Sequence, residues 1–161
     1  MTWREAYLRQ ARSDYEVYSF LNTPDVPLCH RLHYLQMASE KLAKSFLSKG
    51  SRKPYKKTHI AFVRFLKISK RYKPIQRELG YAKNLPAYCA YIDSLLGPAQ
   101  LIEDLAPVGG DHDKVNPEYP WKDATGVIRV PVDYAFREFS AEDIAKIQTL
   151  LTDLFRIAPA T

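Results

Sequence analysis

Gln36-Met37-Ala38-Ser39-Glu40-Lys41-Leu42-Ala43-Lys44-Ser45-Phe46-Leu47 carries two patterns at once. Extended toward the N-terminus, its first pattern places Leu28, Leu32, Leu35, Ser39, Leu42 and Phe46 at steps of four, three, four, three and four. That alternation keeps one face of a helix apolar along its whole length. Ser39 is the single polar member, and a side chain so small lets another helix approach closely. The helix is expected from residue 26 to just before residue 50. Asp25 would serve as its N-cap, Pro27 would sit in its first turn and Gly50 would stop it. The second pattern is Gln36, Glu40 and Lys44, a polar row at i, i+4 spacing beside the stripe. Taken alone, such a row reads as a solvated face with ordinary helix pairs.

Upstream, Thr2-Trp3-Arg4-Glu5 has the form of a capping box, and Leu8, Ala11, Tyr15 and Tyr18 extend an apolar stripe to about residue 21. Asn22-Thr23-Pro24-Asp25 is a break. Downstream, residues 48–57 form an exposed basic loop. Thr58 is expected to cap a third helix over residues 59–70, with Phe62, Val63, Phe65, Leu66 and Ile68 apolar. Arg64, Lys67, Lys70 and Arg71 occupy another side of it. A short helix is expected over residues 74–82. Asn84 then caps a long one reaching about residue 105, with the stripe Tyr88, Ile92, Leu95, Ala99 and Ile102. Gly97-Pro98 should kink or split it.

Residues 107–135 are punctuated by glycine and proline, and segments 119–121 and 127–130 suit a small hairpin. Ser140 caps a last helix that turns Ile144, Ile147, Leu151 and Leu154 to the core. These readings converge on an all-α, up-and-down bundle of four to five helices, with a long loop or small hairpin before the last helix. A chain of 161 residues is one domain on this scale, 1–161, and is long enough to bury its own core.

The net charge of +6 is unevenly spread. Residues 41–83 hold 14 Lys and Arg against one acid, Glu78, whereas the rest of the chain is net −7. Such asymmetry is the footprint of an anion-binding face, nucleic acid being the usual candidate. It also suits an assembly in which the basic half of one copy meets the acidic half of another. Tyr55 and Tyr72 stand among the lysines, where they could stack on bases. Cys29 and Cys89 lack metal-ligand spacing and read as small buried hydrophobes of a reducing, cytoplasmic compartment. His30 and His33 share a helix face without a carboxylate nearby in sequence. Asp111-His112-Asp113 reads as a solvated loop triplet. No metal, no cofactor and no membrane segment is expected.

The words Gln36-x-Ala38-x-Glu40-Lys41-x-x-Lys44, followed by Thr58-His59 after a basic loop, resemble the HEPN domain family. Ala11-Arg12-Ser13-Asp14 is similar to that family's first helix, and Glu118-Tyr119-Pro120 to a degenerate Arg-Tyr-Pro word before its last helix. The words fall in order over residues 6–154, nearly the whole chain. The resemblance implies a helical bundle that commonly pairs into homodimers. It also implies a link to nucleotides or RNA, in a toxin–antitoxin setting or beside a separately encoded minimal nucleotidyltransferase. On this basis the row Gln36, Glu40 and Lys44 should line a groove or helix interface rather than open solvent.

Many HEPN domains are metal-independent endoribonucleases with an Arg, four to six residues, then a His. Arg52 and His59 are the one match here, with six residues between them. They lie early in the chain rather than before the last helix, and Glu118 stands where the family's Arg-Tyr-Pro word has Arg. The preferred expectation is therefore a non-catalytic module. Gln36, Glu40, Lys41, Lys44, Lys53, Lys56, Lys57 and Arg64 would contact a nucleotide, RNA or an acidic protein. A ribonuclease using Arg52 and His59 is the first alternative, and a structural assembly protein the second.

Overall fold

The structure is a computed structural model that describes residues 1–48, 51–55, 59–106 and 114–158. Among these it contains helices α1 (Trp3–Leu21), α2 (Leu28–Leu47), α3 (Ala61–Ser69), α4 (Lys73–Glu78), α5 (Leu85–Asp104) and α6 (Ala141–Ile157). Strands β1 (Trp121–Lys122) and β2 (Ile128–Arg129) pair antiparallel, Trp121 opposite Arg129, and a 3-10 turn follows at Pro131–Asp133. The expected all-α bundle with a small hairpin before the last helix is the architecture found. No described helix is long and apolar enough to cross a membrane.

α2 is the central element. It packs along α1 on one side and against α3 and α5 on another, so apolar residues outside its main stripe, Ala38 and Ala43, are buried as well. Leu32, Leu35 and Leu42 are closed to solvent together with Phe62, Ile92, Ile102, Ile147 and Leu151 from the other helices. Each such side chain contributes roughly 1.5–3 kcal/mol. Phe46 is only partly buried, stacked on Phe65 with ring centroids 4.9 Å apart. The Ser39 hydroxyl donates to the Gln36 carbonyl at 2.9 Å, which removes the cost of placing it in the stripe.

Two antiparallel pairs frame α2. Tyr15 of α1 donates to the Gln148 carbonyl of α6 at 3.3 Å, and Arg12 to the Phe155 carbonyl at 3.3 Å. α3 lies against α5, with Tyr88 near the start of α5 donating to the Ser69 carbonyl at the end of α3, 3.1 Å away. In the hairpin, Asp123 accepts the amides of Thr125 and Val127 and the guanidinium of Arg129, while Gly126 takes a φ of 80° in the turn. Trp121 anchors this unit edge-on to Tyr134, with centroids 5.0 Å apart.

The cap residues Thr2, Asn84 and Ser140 do what their sequence predicts. Other expectations need correction. α2 starts at Leu28 with Pro27 as a cap that offers no side chain, so Asp25 lies before the cap rather than in it. α3 starts at Ala61 rather than His59, after Ile60. α4 spans Lys73–Glu78, shorter than expected. α5 passes through Gly97 and Pro98 without being split in two, because Pro98 lacks an N–H but a single missing hydrogen bond in a long packed helix does not end it. Of the apolar residues of α3, Ile68 is exposed. Gly50, Thr58, Lys56, Lys57 and Asp111-His112-Asp113 lie outside the described residues.

Candidate functional site

The polar row of α2 is buried. Gln36 is 4% exposed, and Glu40 and Lys44 are each 8% exposed. Spacing of four puts the three on one line of the helix, and the packing around α2 covers that line. Lys44 Nζ donates to Glu40 Oε1, and Gln36 Nε2 donates to Glu40 Oε2 at 2.8 Å. His59, just before α3, brings Nδ1 to 3.1 Å from the same oxygen. An ionised carboxylate can only accept, so Nδ1 carries a proton at this contact. The His59 side chain is 45% exposed. Burial works to raise the Glu40 pKa, but the hydrogen bonds from Lys44, His59 and Gln36 outweigh it and hold the carboxyl below its ordinary value.

A second carboxylate meets the same corner from α5. Glu103 Oε1 accepts the backbone N–H of Phe62 and, at 3.2 Å, that of Val63. These are among the first amides of α3, which have no partner inside the helix. Ile60 cannot cap them, so Glu103 supplies the cap from another element. Its second oxygen is buried and unpartnered. Burial is the main cause that lifts the Glu103 pKa to about 7, against the two backbone hydrogen bonds and helped by the charge of Glu40. On the other side of α2, Lys41 Nζ lies 2.6 Å from Oδ2 of buried Asp14, whose Oδ1 accepts from Gln10 at 3.0 Å.

The outward face of α3 is different. Arg64, Lys67 and Arg71 follow one another at steps of three and four, all exposed. Arg52 and Lys53 in the preceding loop and Lys73 beyond are exposed too. Among the described residues, none of these six takes part in an ion pair. Lys70, by contrast, is paired with Asp93. Ile68 and Tyr72 place apolar surface between the charges.

The sequence-derived site residues therefore separate into two groups. Gln36, Glu40, Lys44 and His59 come together in one hydrogen-bonded cluster, and Lys41 joins a different ion pair. Lys53 and Arg64 belong to the exposed basic surface. Arg52 is exposed, and no hydrogen bond or ion pair joins it to His59 among the described residues. Glu103 is not among the sequence-derived site residues, although an acid four residues after Ala99 on an apolar stripe is a readable signal of a buried carboxylate. Among the described residues no group of three or more His, Cys, Asp or Glu is placed to hold a metal. Comparison with family models, with curated proteins and with solved structures gives no match.

Proposed function

We propose that this chain is a non-catalytic, HEPN-like module that binds single-stranded RNA through the outer face of α3 and the adjoining basic loop. The observation that carries the reading is the exposed row Arg64, Lys67 and Arg71, free of acidic partners among the described residues. Lys41 and Lys44 are neutralised inside the bundle. The charge available to an outside anion is therefore concentrated on α3 and its flanks. Apolar and aromatic side chains between the cations suit bases as well as phosphates, which favours a strand of RNA over an acidic protein. The resemblance of the Gln36–Lys44 words to HEPN domains supports the same class of ligand. In this reading the buried row is the support of the face and not the face itself.

The test is a titration of labelled single-stranded RNA at low and moderate salt without metal. Affinity should fall steeply with salt, because each neutralised phosphate releases counterions. No binding at low salt would end the proposal. The same reading includes a homodimer, for which Phe20, 82% exposed near the end of α1, offers apolar surface. A monomer in sedimentation at micromolar concentration would remove that part. A separate nucleotidyltransferase is the protein partner the resemblance implies, and co-purification tests it.

A second reading rests on one contact. Glu40 holds His59 by Nδ1, and the His59 side chain is 45% exposed, an arrangement able to take a proton from a ribose hydroxyl. A metal-independent endoribonuclease would then lose cleavage in both His59→Ala and Arg52→Ala. RNA that remains intact with the wild-type chain would exclude this reading.

A further inference from the structure

The hairpin before α6 carries a run of chain that the bundle does not cover. Val127, Ile128, Val130 and Val132 are between 42% and 65% exposed. Aliphatic side chains gathered so closely and left open to water form a patch of the kind that marks an interface. The backbone beneath them is open as well. The sheet has two strands, so β2 has no neighbour on its outer side among the described residues. Asp123 donates its amide to the Val127 carbonyl at 2.9 Å, Lys122 stands opposite Ile128, and Trp121 opposite Arg129. Bonded and unbonded positions alternate along an antiparallel ladder, so Ile128 turns its N–H and C=O away from β1. Val130 keeps extended angles, φ −108° and ψ 128°, and turns its N–H the same way.

Natural sheet edges are commonly guarded by an unpaired charge, a proline or a bulge. Arg129 is the single charge in residues 127–132, and it is folded back onto Asp123, whose Oδ2 lies 2.7 Å from Nε and 2.6 Å from Nη2. Pro131 ends the open edge without occupying it. The wider region is neutral too. Residues 114–140 hold four basic and four acidic side chains, in a chain whose net charge is +6. Two copies can therefore meet at the hairpin without the repulsion that two α3 faces would impose on each other.

We infer that a second copy of this chain pairs with the outer edge of β2, antiparallel and about a twofold axis through Ile128. Ile128 then exchanges its N–H and C=O with its own counterpart, because an antiparallel strand paired with itself needs no other sequence. The two hairpins become one four-stranded sheet. Ile128 and Val130 share a face at period two, so the side chains of both copies gather on that face. The inference rests on the homodimer included in the reading above and places its contact at the hairpin instead of Phe20. A dimer of this kind carries two α3 faces, which gives one RNA strand two places to bind.

The test is sedimentation velocity of the full chain across the micromolar range. The wild type should form a dimer as concentration rises. Ile128→Lys places two ammonium groups against each other on the axis and should weaken the dimer more than about tenfold. Ile128→Glu should do the same. An equal mixture of these two variants should recover the dimer, because a twofold pairing brings position 128 against itself. Phe20→Lys should leave the dimer intact. A wild type that stays monomeric would overturn the inference and the homodimer with it. A dimer that survives Ile128→Lys, or a mixture that stays monomeric, would overturn the hairpin contact alone, and loss of the dimer in Phe20→Lys would return the contact to α1. The RNA reading is decided separately, by titrating a short labelled strand against wild type and Ile128→Lys, which leaves α3 untouched. If neither binds, that reading falls and the hairpin dimer stands on its sedimentation.

Discussion

The row on α2 and the row on α3 both recur at helical spacing and come to opposite ends. Gln36, Glu40 and Lys44 are covered by neighbouring helices, and the Glu40 carboxylate is answered by Gln36, Lys44 and His59. Arg64, Lys67 and Arg71 are covered by nothing, and no carboxylate answers them among the described residues. A charge pattern in sequence therefore has two outcomes, and packing decides between them. Inside, opposite charges must meet because an unpaired ion in low dielectric is too costly. Outside, like charges persist because water and salt screen them, and there they remain able to attract a ligand.

The largest expected effect separates the two rows by stability. Glu40→Ala leaves the Lys44 ammonium buried without its carboxylate and should cost about 3–5 kcal/mol in urea unfolding. Lys67→Gln on the exposed row should stay within about 0.5 kcal/mol. Equal, small losses at both sites would show that the α2 row is solvated after all. Leu42→Ala removes a fully buried side chain beside that row and should cost ~2–5 kcal/mol.

A smaller effect follows acidity. The folded-state pKa of Glu103 is raised from 4.5 to about 7, so the folded chain holds a proton that the unfolded chain releases. Its contribution is fully present below pH 4.5 and is lost as pH rises through about 7, by up to about 3 kcal/mol. Glu40 acts in the other direction: its lowered pKa makes stability fall as pH drops below its unfolded value. Unfolding free energy should therefore decline from about pH 5 to pH 7.5, and Glu103→Gln should flatten that decline. A wild-type profile without slope in this range would count against the buried state of Glu103. The smallest effect is on ligand binding alone. Replacing Arg64, Lys67 and Arg71 together with Gln should flatten the salt slope by roughly 2 units, near 0.7 for each contact on a single strand.

Most of the bundle is legible in the residues because its periodicities are strong and its caps are local. Thr2 with Glu5, Asn84 and Ser140 need only three or four neighbouring residues to declare a helix start. The start of α3 differs from its local signals for the opposite reason. Its cap comes from Glu103, some forty residues away, and no local window contains it. The burial of Lys44 was legible only in part, since spacing places it beside Glu40 but cannot say whether another helix covers both.

The tethering of α3 has a kinetic consequence. A nine-residue helix is too short to hold its shape alone in water. Here its first amides are fixed to Glu103 and its last turn to the Tyr88 hydroxyl, both on α5. Its amide hydrogens should consequently exchange with deuterium at the pace of α5 and not at the faster pace of a frayed surface helix. A ligand lying on α3 then meets a preformed surface and orders little of the protein as it binds, which leaves more of its contact energy to hold it in place.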